Sequence, residues 1–377
     1  MKILVIGTGH SQFVKEPLEF AFNKSNDNVY VTYDEGRNEL FKDFYKENDI
    51  KLINTHQKTN IISRIPKIGV LYNLFMATRT AAKEKNFDVI HVHSVSNYIL
   101  TWFIVNVLSM YTKKIAITFY GSDLMLREDK ELKRFDKLFE KVDCFSMSTD
   151  NLIERFRKAF GNKYDSKIMK VPFGLASLIS IDEAKPKDEC KHILGVDKNK
   201  VLISIGHNTC VEQQHLQVLD VMSSLSQNII KEITILLQLT YGNGSLEHVN
   251  VIEEKAKSLG CDVVILKEYM NRNEVATMAK AVDIYINSQI SDAISGAMLE
   301  YMYAETVVLN PKWIDYNELK KNGCQYYEYE NFDELPNILR DLINDKGTLD
   351  ISNNHEIIHS LSHWESHKGK WRKFLEG

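Results

Sequence analysis

The sequence has no cysteine pair at CxxC spacing and no Cys/His set at finger spacing. Its five cysteines, Cys144, Cys190, Cys210, Cys261 and Cys324, are scattered. An odd, dispersed set argues against a disulfide framework or a structural zinc and reads as reduced thiols in a cytosolic chain. Long apolar runs are also missing. The longest, "NYILTWFIVNVLSMY" at 97–111, carries Asn106 and Ser109 and falls short of the roughly 20 residues that span a bilayer. It reads as a buried helix rather than a segment touching the membrane. Charge of one sign does not dominate: 47 Lys+Arg stand against 51 Asp+Glu, for a net −4. That excludes a global pull toward nucleic acid or anionic lipid. No signal-peptide pattern opens the chain, since Met1-Lys2 runs straight into "ILVIG", a buried-strand pattern. Asp-x-Asp occurs nowhere.

What is present is a rhythm. The 377 residues are more than one core usually serves, so two domains are expected. The runs "KILVIG" (2–7), "NVYVTY" (28–33), "DVIHVH" (88–93), "KIAITFYG" (114–121) and "CFSMST" (144–149) read as strands. Helical patterns lie near 14–24, 37–47, 70–85, 97–111, 127–141 and 150–160. Continuous apolar strands separated by helices predict a parallel sheet covered on both faces. The rhythm restarts with "VLISIG" (201–206), "EITILLQ" (232–238), "DVVILKE" (262–268), "DIYINS" (283–288) and "TVVLNP" (306–311), with helices near 211–226, 247–259, 271–281, 294–303 and 314–321. Between the halves, 172–198 holds Pro172, Gly174 and Pro186 and reads as a linker. The division expected is 1–172, 173–355 and an amphipathic helical segment at 356–377 that returns to the first domain.

Open α/β sheets bind ligands beyond the carboxyl ends of their strands, so the strand-to-helix turns carry the candidates. "GTGHSQ" (7–12) has two glycines of a dinucleotide fingerprint, but Gln12 takes the third place. Gly9 and His10 there either approach a ligand or form a plain connection. In "HVHSVSN" (91–97), His91 and His93 share one strand face and read as hydrogen-bonded histidines, with no third ligand for a metal. Ser94 and Ser96 are candidate helix caps. "TFYGSD" (118–123) offers Tyr120, Ser122 and Asp123, either as a helix cap or toward a sugar.

In the second half, "GHNTCVEQQH" (206–215) offers His207, Asn208, Thr209 and His215, hydrogen-bond donors beside a helix start where a phosphate fits. A protonated His215 would add charge. "LTYGNG" (239–244) brings Tyr241, Gly242 and Asn243 close to a ligand or forms a tight turn. "KEYMNRNEV" (267–275) holds Asn271 and Asn273 as caps, with backbone groups placed to meet a base. In "NSQISDAISGAMLE" (287–300), Asp292 lies beside a helix starting near Ile294-Ser295, and Glu300 lies about two turns in. N–H groups near Ser295 and Gly296 face an anion, and Gly296 removes a side chain where a phosphate would come.

These motifs, together with "STDNLIERF…VPFG" and the Asp-x7-Glu helix, resemble two-domain glycosyltransferases of the GT-B fold over nearly the full length. The resemblance implies two Rossmann-like domains facing each other across a cleft. The first would bind the acceptor and the second the nucleotide sugar, with the terminal helix crossing back. In family-4-like enzymes the pattern is Glu-x7-Glu. Glu300 would hold the ribose, and Asp292, one methylene shorter, would touch the donor sugar. The Arg/Lys pair those enzymes set against the diphosphate is missing here. The Asn- and His-bearing loop and "LTYGNG" are more similar to the TDP-N-acetylfucosamine:lipid II N-acetylfucosaminyltransferase family. That implies a dTDP- or UDP-linked donor and a glycan or lipid-linked acceptor in cell-envelope polysaccharide synthesis.

No catalytic metal and no cofactor is expected, in keeping with the missing Asp-x-Asp, and nucleic acid is not an expected partner. Tyr120 and Asp123 would lie near the transferred sugar with Asp292, and Gly9 and His10 on the opposite wall. The family-4 likeness implies retention of configuration. Inversion would need a base, His10 or Asp123. The segment 63–85, with Arg64, Lys67, Arg79 and Lys83 among apolar residues, either touches membrane lipid near a lipid-linked acceptor or is a solvated helix. The competing readings are a nucleotide-sugar 2-epimerase, a non-catalytic binding protein of the same fold and, more distantly, a nicotinamide dehydrogenase.

Overall fold

The computed structural model describes residues 1–22, 27–37, 39–56, 61–65, 68–95, 97–292, 295–344 and 349–377. Lys67, Ser96 and Ile294 lie outside these, as do the side chains of Arg64 and Ser122. The apolar runs become strands because β-branched side chains pack well on a pleated, covered surface. Seven strands make the first sheet: β1 (Lys2–Ile6), β2 (Asn28–Tyr33), β3 (Lys51–Asn54), β4 (Phe87–His93), β5 (Thr112–Phe119), β6 (Cys144–Met147) and β7 (Ile168–Lys170). Six make the second: β8 (Val201–Ile205), β9 (Ile233–Gln238), β10 (Asp262–Leu266), β11 (Ile284–Ile286), β12 (Val307–Pro311) and β13 (Tyr327–Tyr329).

Every pairing is parallel. The orders are β3-β2-β1-β4-β5-β6-β7 and β10-β9-β8-β11-β12-β13. Both start at an inner strand, run outward, return and continue on the other side. That is the doubly wound order, whose switch points lie between β1 and β4 and between β8 and β11.

Contacts divide the chain into two units: Met1–Gly174 with Trp364–Gly377, and Leu175–His363. The first unit has its core around Leu4, Ile90, Ile117, Phe139 and Phe145. Its last helix, Trp364–Glu376, is amphipathic and buries Trp364, Trp371, Phe374 and Leu375. Each such side chain contributes about 1.5–3 kcal/mol on burial. The two indoles also donate, Trp364 to Glu16 Oε2 at 3.0 Å and Trp371 to the Pro172 carbonyl at 3.0 Å. The return to the first unit therefore begins at Trp364 rather than at 356. The preceding helix, Asn354–Ser362, packs with the second unit.

Residues 172–198 are not a linker. They form α1 (Ala176–Asp182) and α2 (Lys187–Ile193), with Leu178, Ile181 and Cys190 fully enclosed in the second core. Pro186 stands at the N-cap of α2, so the prolines punctuate short helices instead of marking open chain. The other second-unit helices used below are α3 (His215–Met222), α4 (Gly296–Tyr303) and α5 (Asn354–Ser362).

Candidate functional site

In the first unit the candidate residues are engaged with their own surroundings. The Gly9 N–H donates to the Thr32 carbonyl at 3.2 Å, and the Gly9 carbonyl accepts from the Tyr45 hydroxyl at 2.6 Å. A Cβ at Gly9 would lie 2.9 Å from that Thr32 oxygen, so close backbone approach requires the glycine. His10 stacks on Tyr33 at 4.1 Å. Both of its ring nitrogens are buried and without a hydrogen-bond partner among the described residues.

The Asp123 carboxylate accepts three backbone N–H groups, from Tyr120 at 3.1 Å, Gly121 at 3.0 Å and Val95 at 3.3 Å. That carboxylate pins the two turns after β4 and β5. The helix Tyr98–Asn106 is capped by Asn97, whose Oδ1 accepts from Ile99 and Leu100, and not by Ser94. Ser94 has a left-handed backbone, φ 71°, and donates to the Thr118 carbonyl.

His91 and His93 do share a face. His93 Nε2 meets His91 Nδ1 at 3.1 Å, and His91 Nε2 meets Thr118 Oγ1 at 2.7 Å. The chain continues to Ser146 at one end and to the Tyr120 hydroxyl, 2.5 Å from His93 Nδ1, at the other. Burial drives His91 well below the usual imidazole range and His93 down to about 3, so both are neutral. Among the described residues no set of three or more His, Cys, Asp or Glu side chains comes together as a metal site.

In the second unit the candidates converge on the switch point. The loop after β8 carries His207, Asn208 and Thr209, and the loop after β11 leads to Asp292 and α4. Thr209 ties its loop to the next one, donating from N and Oγ1 to the Tyr241 carbonyl at 2.7 and 3.0 Å. This closure explains Gly242: φ is +126°, and a Cβ would lie 2.5 Å from Thr209 Oγ1. Asn208 turns its loop by accepting from the Cys210 N–H at 2.8 Å, and its amide reaches the Tyr241 hydroxyl. His207 Nδ1 meets the Tyr285 hydroxyl at 3.2 Å. His215, the first residue of α3, is buried. Burial lowers both His207 and His215 to about 4, with the neighbouring His248 and His207 adding to the effect at His215. Both are therefore neutral, and His215, whose ring nitrogens are buried, does not add the positive charge that protonation would bring.

Ser295 is the N-cap of α4, its hydroxyl accepting from the Met298 N–H at 3.2 Å. The N–H groups of Gly296 and Ala297 precede the first helical bond, Leu299 to Ser295, and so belong to the unsatisfied first turn. Gly296 differs from Gly9 and Gly242. A Cβ there would meet only Leu175 Cδ2, at 3.7 Å, an ordinary contact, and its φ is not positive. Among the described residues nothing demands a glycine at a place where it costs about 0.5–1 kcal/mol relative to alanine.

One turn on, Glu300 Oε1 accepts from Ser177 Oγ at 2.5 Å. Burial raises Tyr241, and the Glu300 charge adds to the effect. Asp292 is exposed but held: its Oδ2 accepts from Gln289 Nε2 at 2.9 Å and from the Tyr316 hydroxyl at 3.0 Å. Burial and the Asp292 charge together raise Tyr316 far above the usual phenol range. Ser177, Gln213, Gln289 and Tyr316 were not legible as site residues. The only signal was that Gln213 and Gln289 sit in the two loops flanking the switch point.

No family model and no curated protein matches this sequence. Solved structures do match in shape. HepE from Anabaena, solved with UDP and glucose, superposes with a TM-score of 0.72 at 13% identity, over 100% of this chain and 99% of that one. A glycosyltransferase from Rickettsia africae gives 0.75 at 14%, over 100% and 99%. The sucrose-phosphate synthase of Thermosynechococcus elongatus gives 0.75 at 12%, over 100% and 98%. At these identities the likeness is one of fold, and the chain has the GT-B fold, two Rossmann-like α/β units in series.

Proposed function

We propose that this protein is a glycosyltransferase acting in cell-surface polysaccharide synthesis at the cytoplasmic side of the membrane. It would move a sugar from a dTDP- or UDP-linked donor to a glycan or lipid-linked acceptor. The observation that carries this reading is the pairing of Gly296 and Glu300 on α4. Space that no described residue fills opens at the helix start, and a held carboxylate lies about one turn further on. A diphosphate fits the first, met by the N–H groups of the first turn. A ribose fits the second, its hydroxyls donating to Glu300. HepE, which shares the fold, was solved with UDP and with UDP-glucose.

In the reaction the bond from the anomeric carbon to the diphosphate breaks. The acceptor oxygen takes its place, and the acceptor proton leaves with the diphosphate. His207 and Asn208 would stabilise the departing charge as neutral donors, and Thr209, whose N–H and hydroxyl both go to the Tyr241 carbonyl, would hold their loop. Asp292 would hold the sugar. We favour retention of configuration, which needs no protein base. Asp123 is occupied by three backbone N–H groups, and the nitrogens of His10 are enclosed.

The test is a thermal-shift screen with UDP-, dTDP- and GDP-sugars, followed by product analysis. A donor at about 100 times its Kd should stabilise the protein by about 2.7 kcal/mol. No stabilisation by any of them would remove the reading. Free sugar formed without an acceptor would point to the epimerase instead.

Membrane contact is part of the proposal. No helix among the described residues is long and apolar enough to cross a bilayer. Ile61 is 82% exposed, and Ile62, Ile65, Ile68 and Val70 follow it at the surface. Phe75 stacks on Phe103 at 4.1 Å, joining this helix to the one that exposes Trp102 at 47%. An apolar face with an aromatic and flanking Arg79 and Lys83 suits a lipid surface. Ile68→Asp should cut co-sedimentation with anionic vesicles about threefold or more; unchanged binding would count against lipid contact here.

A further inference from the structure

We infer that Gln213 and Gln289 form an amide relay that positions Asp292 against the loop after β8, so that the sugar side of the donor site moves as one piece. The inference rests on the donor-binding reading above. The relay begins at a group whose hydrogen-bonding sense is fixed. The His207 backbone N–H can only donate, and it donates to Gln213 Oε1 at 3.1 Å. Gln213 must then turn its amide nitrogen outward, and Nε2 donates to Gln289 Oε1 at 3.2 Å. Gln289 is oriented in turn, and its Nε2 donates to Asp292 Oδ2 at 2.9 Å. One sense runs through three links with no mismatched pair. The far end is Asp292 Oδ2, an acceptor that also receives the Tyr316 hydroxyl.

Both amides are buried, Gln213 at 2% and Gln289 at 7% exposure. A buried amide is costly unless its hydrogen bonds are made, and packing alone would be served better by apolar side chains. The loops that carry them are stitched independently. Ser288 Oγ donates to the Gln213 carbonyl at 2.5 Å and Gln214 Nε2 to the Ser288 carbonyl at 2.7 Å. The backbone across the switch point therefore stays in place without the relay. What the relay adds is the orientation of one exposed carboxylate. Gln213 and Gln289 are positioning residues, acting through Asp292.

The test is Gln289→Glu in the full chain, assayed with whichever of the UDP-, dTDP- and GDP-sugars stabilises the wild type. A neutral glutamic acid reproduces the relay: its carbonyl accepts from Gln213 and its O–H donates to Asp292. An ionised one sets two carboxylates against each other and raises the pKa of the pair. At pH 8 the variant should lose about 100-fold in kcat with KM for the donor changed less than about threefold. Its rate relative to wild type should climb as pH falls toward about 5.5. Gln289→Leu, which cannot donate, should stay slow at every pH.

Wild-type rate in Gln289→Glu at pH 8, or a loss in it that ignores pH as in the Leu variant, would overturn the relay. Failure of the donor reading looks different: the wild type itself would bind no nucleoside diphosphate.

Discussion

In the first unit, the polar side chains near the switch point close on one another. Ser146, Thr118, His91, His93 and Tyr120 form a chain that ends on the Phe13 carbonyl. Asp123 is taken up by backbone, and Trp371 stacks over His93. In the second unit, with the same strand order, the polar chain that starts at the His207 N–H runs outward to the exposed Asp292. Tyr241, in the loop tied to Thr209, is itself at the surface. The glycines tell the same story. Gly9 is required by a neighbouring carbonyl, and Gly296 by nothing among the described residues. Equal topology thus leaves the polar groups of one switch point paired among themselves, His10 excepted, and the other with groups presented outward. That is why the donor is assigned to the second unit.

Acid is the largest perturbation that separates the two. His93 is lowered to about 3, His91 well below normal, and His207 and His215 to about 4, all chiefly by burial. Each is neutral when folded, so the unfolded chain binds protons first, beginning near pH 6.5. Stability should be full above that value and fall as pH drops toward 4. The contribution lost is at most about 3 kcal/mol for each of His207 and His215, by linkage. On the proposed donor reading, bound nucleotide would place negative charge near the second pair only. It should therefore soften the loss from His207 and His215 and leave that from His91 and His93. Urea midpoints between pH 8 and 4.5, with and without UDP, check this. A slope that does not change with UDP would break the distinction.

A smaller effect sharpens it. Gly296→Ala should raise stability by about 0.5–1 kcal/mol through helix propensity, because among the described residues the added methyl meets only Leu175. On the proposed donor reading the same methyl would occupy the phosphate position and should weaken nucleotide binding about tenfold, near 1.4 kcal/mol. Opposite signs in a melting curve and a titration are the expected pair. Equal affinity in the variant would return Gly296 to an unexplained residue.

Much of the fold was legible because its strands are long apolar runs. The ten runs from "KILVIG" to "TVVLNP" each contain a strand. The three strands that were not, Lys51–Asn54, Ile168–Lys170 and Tyr327–Tyr329, are three or four residues long and partly polar. They are defined by a neighbour's hydrogen bonds and not by their own pattern. The segment 172–198 read as a linker because its prolines and glycine mask two helices under two turns each, whose burial only the tertiary packing reveals. At the candidate site, residues in turns after strands were visible because topology alone marks those turns. Ser177 was not, since it reaches Glu300 from a helix 123 positions away. Gln213 and Gln289 carry no motif. Their meaning lies in a directional chain of hydrogen bonds that exists only once both loops are in place.

The central claim is that α4 of the second unit holds a nucleoside diphosphate through its first turn and Glu300. Calorimetric titration of the wild type and of Glu300→Ala with UDP and dTDP tests it most directly. The account predicts saturable binding by the wild type. It also predicts a loss of about 10- to 100-fold in the variant, the worth of charge-assisted hydrogen bonds of about 1.5–3 kcal/mol, with melting little changed. Equal affinity in both proteins, or no binding in either, would contradict it.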